Sequence, residues 1–308
     1  MIDRRRPRSI HPLLAVCAVA LALIVYAVCR AFLAQVLGLH AIPPIPVGLP
    51  SLTVILTVFS LSHGWYALGG RLTALFFTVS AVVSYALEEG GVATGLVYGG
   101  YHYTDYLGAK LGHVPILIPL AWFMMIYPSY VIASLIVERR PAGTGLGLRA
   151  LVAASGTSAV VMTVWDLVID PILAGPLNRQ PAWVWESGGA YFGVPVQNYA
   201  GWLVTTFIVY FLYRAAEQRE SRGLRGAAPA CGMPWWAAAM PVVAYGCMLV
   251  GDLLSGVTPV GVVPIGLLVM GVPFALAMWR VVELRRTAAR TDETVPPAPH
   301  DRLSEAAS

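Results

Sequence analysis

Residues 165–202 read WDLVIDPILAGPLNRQPAWVWESGGAYFGVPVQNYAGW. The stretch begins inside an apolar run and sets Asp166 and Asp170 four residues apart. It then passes through a loop crowded with aromatics and enters the next apolar run through Pro195, Asn198 and Trp202. Two apolar runs joined by a Gly- and Pro-rich connection read as two helices linked outside a bilayer.

Composition extends that reading to the whole chain. The mean hydropathy is +0.70, with 57% hydrophobic and only 12% charged residues, whereas soluble domains carry about 25% charge. Apolar runs of spanning length cover roughly 13–37, 47–68, 71–88, 114–137, 150–171, 195–213, 235–254 and 259–280. Each approaches the ~20 residues that cross a bilayer core, and in lipid such runs must be helical to pair their backbone groups. The expected fold is an all-α integral membrane protein of about eight transmembrane helices. A single membrane domain over 1–285 is expected to precede a polar, Pro-rich, disordered tail at 286–308.

The basic residues test the count. With the N-terminus in the cytoplasm, the inner side receives Arg4, Arg5, Arg6, Arg8, Arg71, Arg139, Arg140, Arg149, Arg214, Arg219, Arg222, Arg225, Arg280, Arg285, Arg286, Arg290 and Arg302. Arg30, Lys110 and Arg179 fall outside. That is the asymmetry of the positive-inside rule, with both termini cytoplasmic in the cell membrane. The first run is too long for a signal-peptide core and lacks a small-residue cleavage site, so it is expected to be retained. Cys17, Cys29, Cys231 and Cys247 show no metal or disulfide spacing, and three of them lie in apolar runs as small core residues. No basic run with interleaved aromatics points to nucleic acid.

Two extracytoplasmic loops, about 89–113 and 172–194, are much longer than the rest and rich in Gly and aromatics. Tyr and Trp favour the headgroup region of any membrane protein, so the aromatics alone mark no site. The carboxylates beside them are more informative. An ionisable side chain at the centre of a span costs roughly 2.5–3.5 kcal/mol on insertion scales and faces a bundle interior or a wet cavity. Asp166 and Asp170 share a helix face at i, i+4; Asp170, before Pro171, could also simply end the helix. Glu88 and Glu89 close the short third run. The loops also resemble each other, each carrying a Val-Pro pair followed seven residues after the proline by Trp122 or Trp202. No GxSxG, P-loop or GxGxxG-plus-strand pattern is present. A divalent-ion site from Glu88, Asp166, Asp170 and His102 lacks any supporting spacing, and His63 and His113 fall on opposite sides. What remains is acid chemistry in an aromatic-lined membrane pocket. A carboxyl group in apolar surroundings is favoured in the neutral form that a general acid needs, and aromatic faces stabilise a carbocation. A transporter with intramembrane carboxylates, or a scaffold, fits the same residues.

At these positions the sequence resembles the integral-membrane carotenoid biosynthesis family that includes C-1,2 hydratases of carotenoid end groups, among them bisanhydrobacterioruberin and γ-carotene hydratases. The matching elements are Glu88-x-x-Gly91-Val92-x-Thr94-Gly95, Gly100-Tyr101-x-Tyr103, Val114-Pro115 to Trp122, Trp165-Asp166-Leu167-x-x-Asp170-Pro171, Trp183-x-Trp185, and Tyr191-x-Gly193-Val194-Pro195-x-x-Asn198-Tyr199-x-Gly201-Trp202. They cover about residues 60–215, and spacing to Gly91 favours Glu88 over Glu89. The resemblance implies hydration of an acyclic carotenoid end group with no redox cofactor or metal. Its partners would be the carotenoid, water, the bilayer and other enzymes of the pathway. Asp166 would be the acid, with Asp170 or Glu88 handling the water. Tyr101, His102, Tyr103, Trp122, Trp165, Trp183, Trp185, Tyr191, Asn198 and Trp202 would line or position the substrate.

Overall fold

The computed structural model describes residues 11–40, 43, 48–143, 147–223 and 233–293. Among them are nine α-helices: α1 (Pro12–Leu37), α2 (Leu49–Leu68), α3 (Gly70–Thr94), α4 (Leu117–Glu138), α5 (Leu148–Leu173), α6 (Val196–Gly223), α7 (Trp235–Leu253), α8 (Val262–Val269) and α9 (Gly271–Glu293). Seven stretches are long and apolar enough to cross a membrane, namely α1 to α5, α7, and α8 with α9 taken together. The remaining long helix, α6, packs on α3 and α5 and turns Asn198, Thr205, Thr206, Arg214 and Glu217 into the bundle. The protein is a predominantly helical, multi-pass membrane protein. Its outer faces carry bare valines such as Val19, Val54 and Val82, which suits a lipid solvent.

Helix α4 sits at the centre, against α2, α3, α5, α7 and α9. It is buried without interruption from Trp122 to Leu135, as expected of a helix apolar on all sides. The contacts fix its neighbours' directions. Arg71 at the start of α3 pairs with Glu220 near the end of α6 at 3.0 Å, while Asp170 near the end of α5 meets Asn198 at the start of α6. Helices α3 and α5 therefore both run antiparallel to α6.

Prolines interrupt three of the buried helices, and each time a side chain from elsewhere replaces the lost backbone bond. A proline lacks the N–H that would bond the carbonyl four residues before it, and an orphaned carbonyl in a membrane interior is costly. For Pro128 that carbonyl is Met124, which accepts from Ser60 Oγ at 3.0 Å. For Pro171 it is Leu167, which accepts from the Tyr191 hydroxyl at 3.1 Å. For Pro241 it is Ala237, bonded to His63 Nε2 at 2.9 Å. The last bond fixes the histidine as the tautomer with hydrogen on Nε2, so Nδ1 accepts from the Tyr127 hydroxyl at 2.6 Å.

Several expectations change. Helix α3 does not stop at Glu88 but continues to Thr94, ending on Gly95 in the left-handed conformation (φ 70°). Asp170 does not end α5, because the Tyr191 hydroxyl lets the helix pass Pro171 and reach Leu173. The last apolar run is broken between α8 and α9, where Pro273 offers no amide to Val269. Residues 286–293, expected as disordered tail, continue α9; the rest of that tail, 294–308, lies outside the described residues, as does Cys231. Cys17 is buried, but Cys29 is on the exposed side of α1. Arg214, counted on the inner side, does not face solvent. It is fully buried, 3.7 Å from Glu138, bonded to Ser134 and Ser158, and set over the Tyr130 ring. It ties α4, α5 and α6 together at the end opposite Asp170.

The two long connections meet as a small ribbon. Strands β1 (Tyr101–Tyr103) and β4 (Trp183–Trp185) pair antiparallel, with Tyr101 opposite Trp185 and Tyr103 opposite Trp183. A second hairpin joins β2 (Lys110–Leu111) to β3 (Val114–Pro115). Tyr98 anchors the first connection: its ring fits between Gly91 and Gly201, where an added Cβ would come within 2.8 and 2.7 Å of it, and its hydroxyl bonds Thr205 at 2.9 Å.

The proline repair makes a direct prediction. His63→Phe strands the Ala237 carbonyl and should cost about 1–3 kcal/mol, read as a lower thermal midpoint in detergent. In a Pro241→Ala background the restored amide should remove much of that cost. Equal losses in both backgrounds would contradict this role for His63.

Candidate active site

The site forms where α3, α4, α5 and α6 reach the ribbon. Two-residue alternation along β1 and β4 sends Tyr101, Tyr103, Trp183 and Trp185 toward the bundle and His102 and Val184 away from it. The inward residues cap a chamber of about 90 Å³. A water needs roughly 10–15 Å³, so several could fit.

Glu88 forms one wall. It lies buried on the last turns of α3 and takes three hydrogen bonds. Oε2 accepts from the Tyr101 hydroxyl in a short contact and from the Tyr103 hydroxyl at 2.8 Å. Oε1 accepts from Trp122 Nε1 at 3.0 Å. Burial, with the Glu88 carboxyl group beside them, holds both tyrosine phenols well above their ordinary range, so they remain O–H donors. Glu88 is thereby fully engaged.

Asp166 and Asp170 form the facing wall on α5. Asn198, at the head of α6, bridges them through one amide nitrogen, which donates to Asp166 Oδ2 at 2.8 Å and to Asp170 Oδ2 at 2.5 Å. The other oxygen of Asp166, Oδ1, is buried with no hydrogen-bond partner. Buried polar atoms nearly always have one; among the described residues that line the chamber, Asp166 Oδ1 and Trp185 Nε1 are the buried side-chain atoms without a partner.

Aromatic rings fill the space between the two walls. Trp122 and Trp202, the tryptophans of the repeated Pro+7 spacing, stack face to face with centroids 4.1 Å apart. Trp165 meets Trp202 edge-on at 6.1 Å, and Tyr101 lies 5.0 Å from Trp185. Such faces favour positive charge.

Of the thirteen residues singled out from sequence, eleven line this chamber: Glu88, Asp166, Asp170, Tyr101, Tyr103, Trp122, Trp165, Trp183, Trp185, Asn198 and Trp202. Two do not. His102 lies on the outer face of β1, 3.6 Å from Glu186 and largely exposed, so strand alternation removes it from the carboxylates. Tyr191 is spent on the Leu167 carbonyl freed by Pro171. Glu89 also lies elsewhere, bonded to His113 Nδ1 at 2.7 Å. Among the described residues no group of three or more His, Cys, Asp or Glu side chains is placed to hold a metal ion.

Sequence reasoning missed Tyr98 and Asp252, which also line the chamber. Asp252 Oδ2 accepts from Trp165 Nε1 at 3.0 Å and so fixes the edge of that indole. The available signal was position: an acid at the end of an apolar run, on the same side of the membrane as Asp170.

With fold and site in view, the chain belongs to the family of carotenoid biosynthesis proteins, whose pattern matches residues 48–273. That match extends beyond residues 60–215 on both sides and takes in α7 and α8. A curated relative is the bisanhydrobacterioruberin hydratase of Haloarcula japonica, 34% identical over 153 residues, which are 49% of this chain and 47% of the relative. The chain thus spans about half the length of the curated relative it matches. No solved structure matches it.

Glu88 is an acceptor before it is anything else. Glu88→Leu strands three buried donors at about 1–3 kcal/mol each before relaxation, and should lower the thermal midpoint far more than Glu88→Gln, which keeps an oxygen for the tyrosines. Equal midpoints for the two variants would show that the three bonds contribute little.

Proposed function

We propose that the protein hydrates the terminal C-1,2 double bond of an acyclic carotenoid end group, as a hydro-lyase. The observation that carries this reading is the unpartnered Oδ1 of Asp166 in a chamber of aromatic faces. Membership of the carotenoid biosynthesis family and similarity to a hydratase support a carotenoid as the substrate.

In the proposed reaction Asp166 starts protonated. Its Oδ1–H gives the proton to C-2 of the double bond, whose electron pair forms the new C–H bond and leaves a tertiary cation at C-1. The rings of Trp122, Trp165, Trp185 and Trp202, with Tyr101, stabilise that cation through their negative faces. A water held by Asp170 and Asn198 adds its oxygen to C-1 and loses a proton to Asp170. Exchange between the two carboxyl groups, which share the Asn198 amide, returns the proton to Asp166. One water is consumed, no electron is transferred, and the enzyme is regenerated. Glu88, held by three donors, shapes the wall, while Trp183 and Tyr103 close the chamber beneath the ribbon. We also place α6 across the membrane as the sixth of eight spans, both termini in the cytoplasm and the chamber on the outer side of the cell membrane. The arginine distribution supports this orientation, as do Arg71 and Arg214 at the end opposite Asp166 and Asp170.

Expressed in cells that accumulate lycopene, the protein should give products heavier by one water per modified end, detected by mass spectrometry. An unchanged pigment profile across a range of acyclic carotenoids would favour a transporter or scaffold instead. Asp166→Asn should cut turnover by about 100-fold or more while the protein still reaches the membrane. Retained turnover would remove Asp166 from the acid role.

A further inference from the structure

The chamber is small for its proposed substrate. Sites that enclose a drug-sized ligand usually measure about 300–1,000 Å³, against the 90 Å³ here. Only the end group of a long polyene fits, so the rest of the molecule must leave through a wall.

One wall is shared with a second hollow. A groove of about 260 Å³ lies between α1, α2, α5 and α7, and Leu49, Leu52, Ile169, Leu173, Met248 and Asp252 line both it and the chamber. On the α1 side the groove is bounded by Ile24, Ala27, Val28 and Ala31, a single stripe at i, i+3, i+4 and i+7. Opposite them on α7 is Gly251, where an added Cβ would be in ordinary van der Waals contact with Val28, at 3.5 Å. Gly251, Ala27 and Ala31 leave the remaining space of the groove unfilled. Of its polar side chains, Asp252 holds Trp165 through Oδ2 and Ser255 bonds Thr258 at 2.8 Å. The rest of the lining is aliphatic, glycine or sulfur-bearing.

We propose that this groove holds the polyene chain of the substrate whose end group occupies the chamber, so that the carotenoid enters from the lipid between α1 and α7. The nature of the chain rests on the hydratase reading above. The six shared residues form the partition between the two hollows, and the Asp252–Trp165 bond fixes one side of it.

The test uses full-length protein expressed in lycopene-accumulating cells, with Ala31→Phe and Ala27→Phe to fill the groove. Val19→Phe serves as control, since it adds the same ring on a lipid-facing part of α1 that is 62% exposed. Pigment co-purifying with the protein in detergent is measured first. Turnover is then compared for the full-length carotenoid and for a short acyclic isoprenoid that carries the same end group without the polyene. The groove variants should lose about tenfold or more of both bound pigment and long-substrate turnover, while short-substrate turnover stays within about twofold and the control changes nothing. If either ring unfolds the protein, seen as an aggregated elution profile, Ala31→Leu takes its place. Wild-type pigment and long-substrate turnover in a folded groove variant would overturn the proposal. So would a parallel loss of short-substrate turnover, because the ring would then be acting on the chamber. If the unmodified protein hydrates neither substrate, the hydratase reading fails, and pigment retention alone still decides whether the groove holds a polyene.

Discussion

An unpaired backbone carbonyl inside a membrane has no water to turn to, and much of this structure answers that constraint. Pro128, Pro171 and Pro241 each free a carbonyl one turn earlier, and Ser60, Tyr191 and His63 each supply the missing donor. These bonds reach between elements far apart in sequence. Ser60 and His63 tie α2 to α4 and α7, and Tyr191 ties the second long connection to α5. Prolines that would otherwise weaken single helices thereby become points where the bundle is pinned. The site depends on one of these points directly: the Tyr191 bond carries α5 past Pro171 and keeps Asp170 within the helix, on the same face as Asp166.

Among the described residues, the chamber obeys the same rule with two exceptions, Asp166 Oδ1 and Trp185 Nε1. Glu88 satisfies three donors at once, Asp252 satisfies Trp165, and Asn198 joins the two aspartates. Asp166 Oδ1 alone among these carboxyl oxygens is both buried and unpartnered. Two carboxyl-bearing walls with stacked tryptophans between them form a place where a proton can be delivered and positive charge tolerated. The ribbon of β1 and β4 sets the distance between those walls, because it fastens the connection after α3 to the connection after α5.

The spans were legible because the bilayer fixes their length, and the carboxylates because an apolar chain holds so few of them. Glu88, Asp166 and Asp170 stood out for that reason, and the structure gathers all three around one chamber together with Asn198. The end of α3 was not legible. Glu88-Glu89-Gly90-Gly91 reads locally as a helix terminus, and only the Tyr98 ring seated against Gly91 explains why a glycine belongs in a helix that continues. His102 looked equivalent to its tyrosine neighbours until strand pairing turned it outward. Tyr191 looked like pocket lining because a hydroxyl that bonds a remote carbonyl leaves no trace in the local sequence. Asp252 carries no local sign of its role, because its partner Trp165 lies 87 residues away.

The central claim is that Asp166 protonates carbon and water supplies the oxygen. Its most direct test is isotopic: the full-length protein in membranes converts an acyclic carotenoid in deuterated water that also carries heavy oxygen, and the product is mapped by mass spectrometry and NMR. Protonation followed by water capture places one deuterium at C-2 and one heavy oxygen at C-1 for each end modified. A hydroxylated product whose oxygen is light, or that lacks deuterium at C-2, would contradict it.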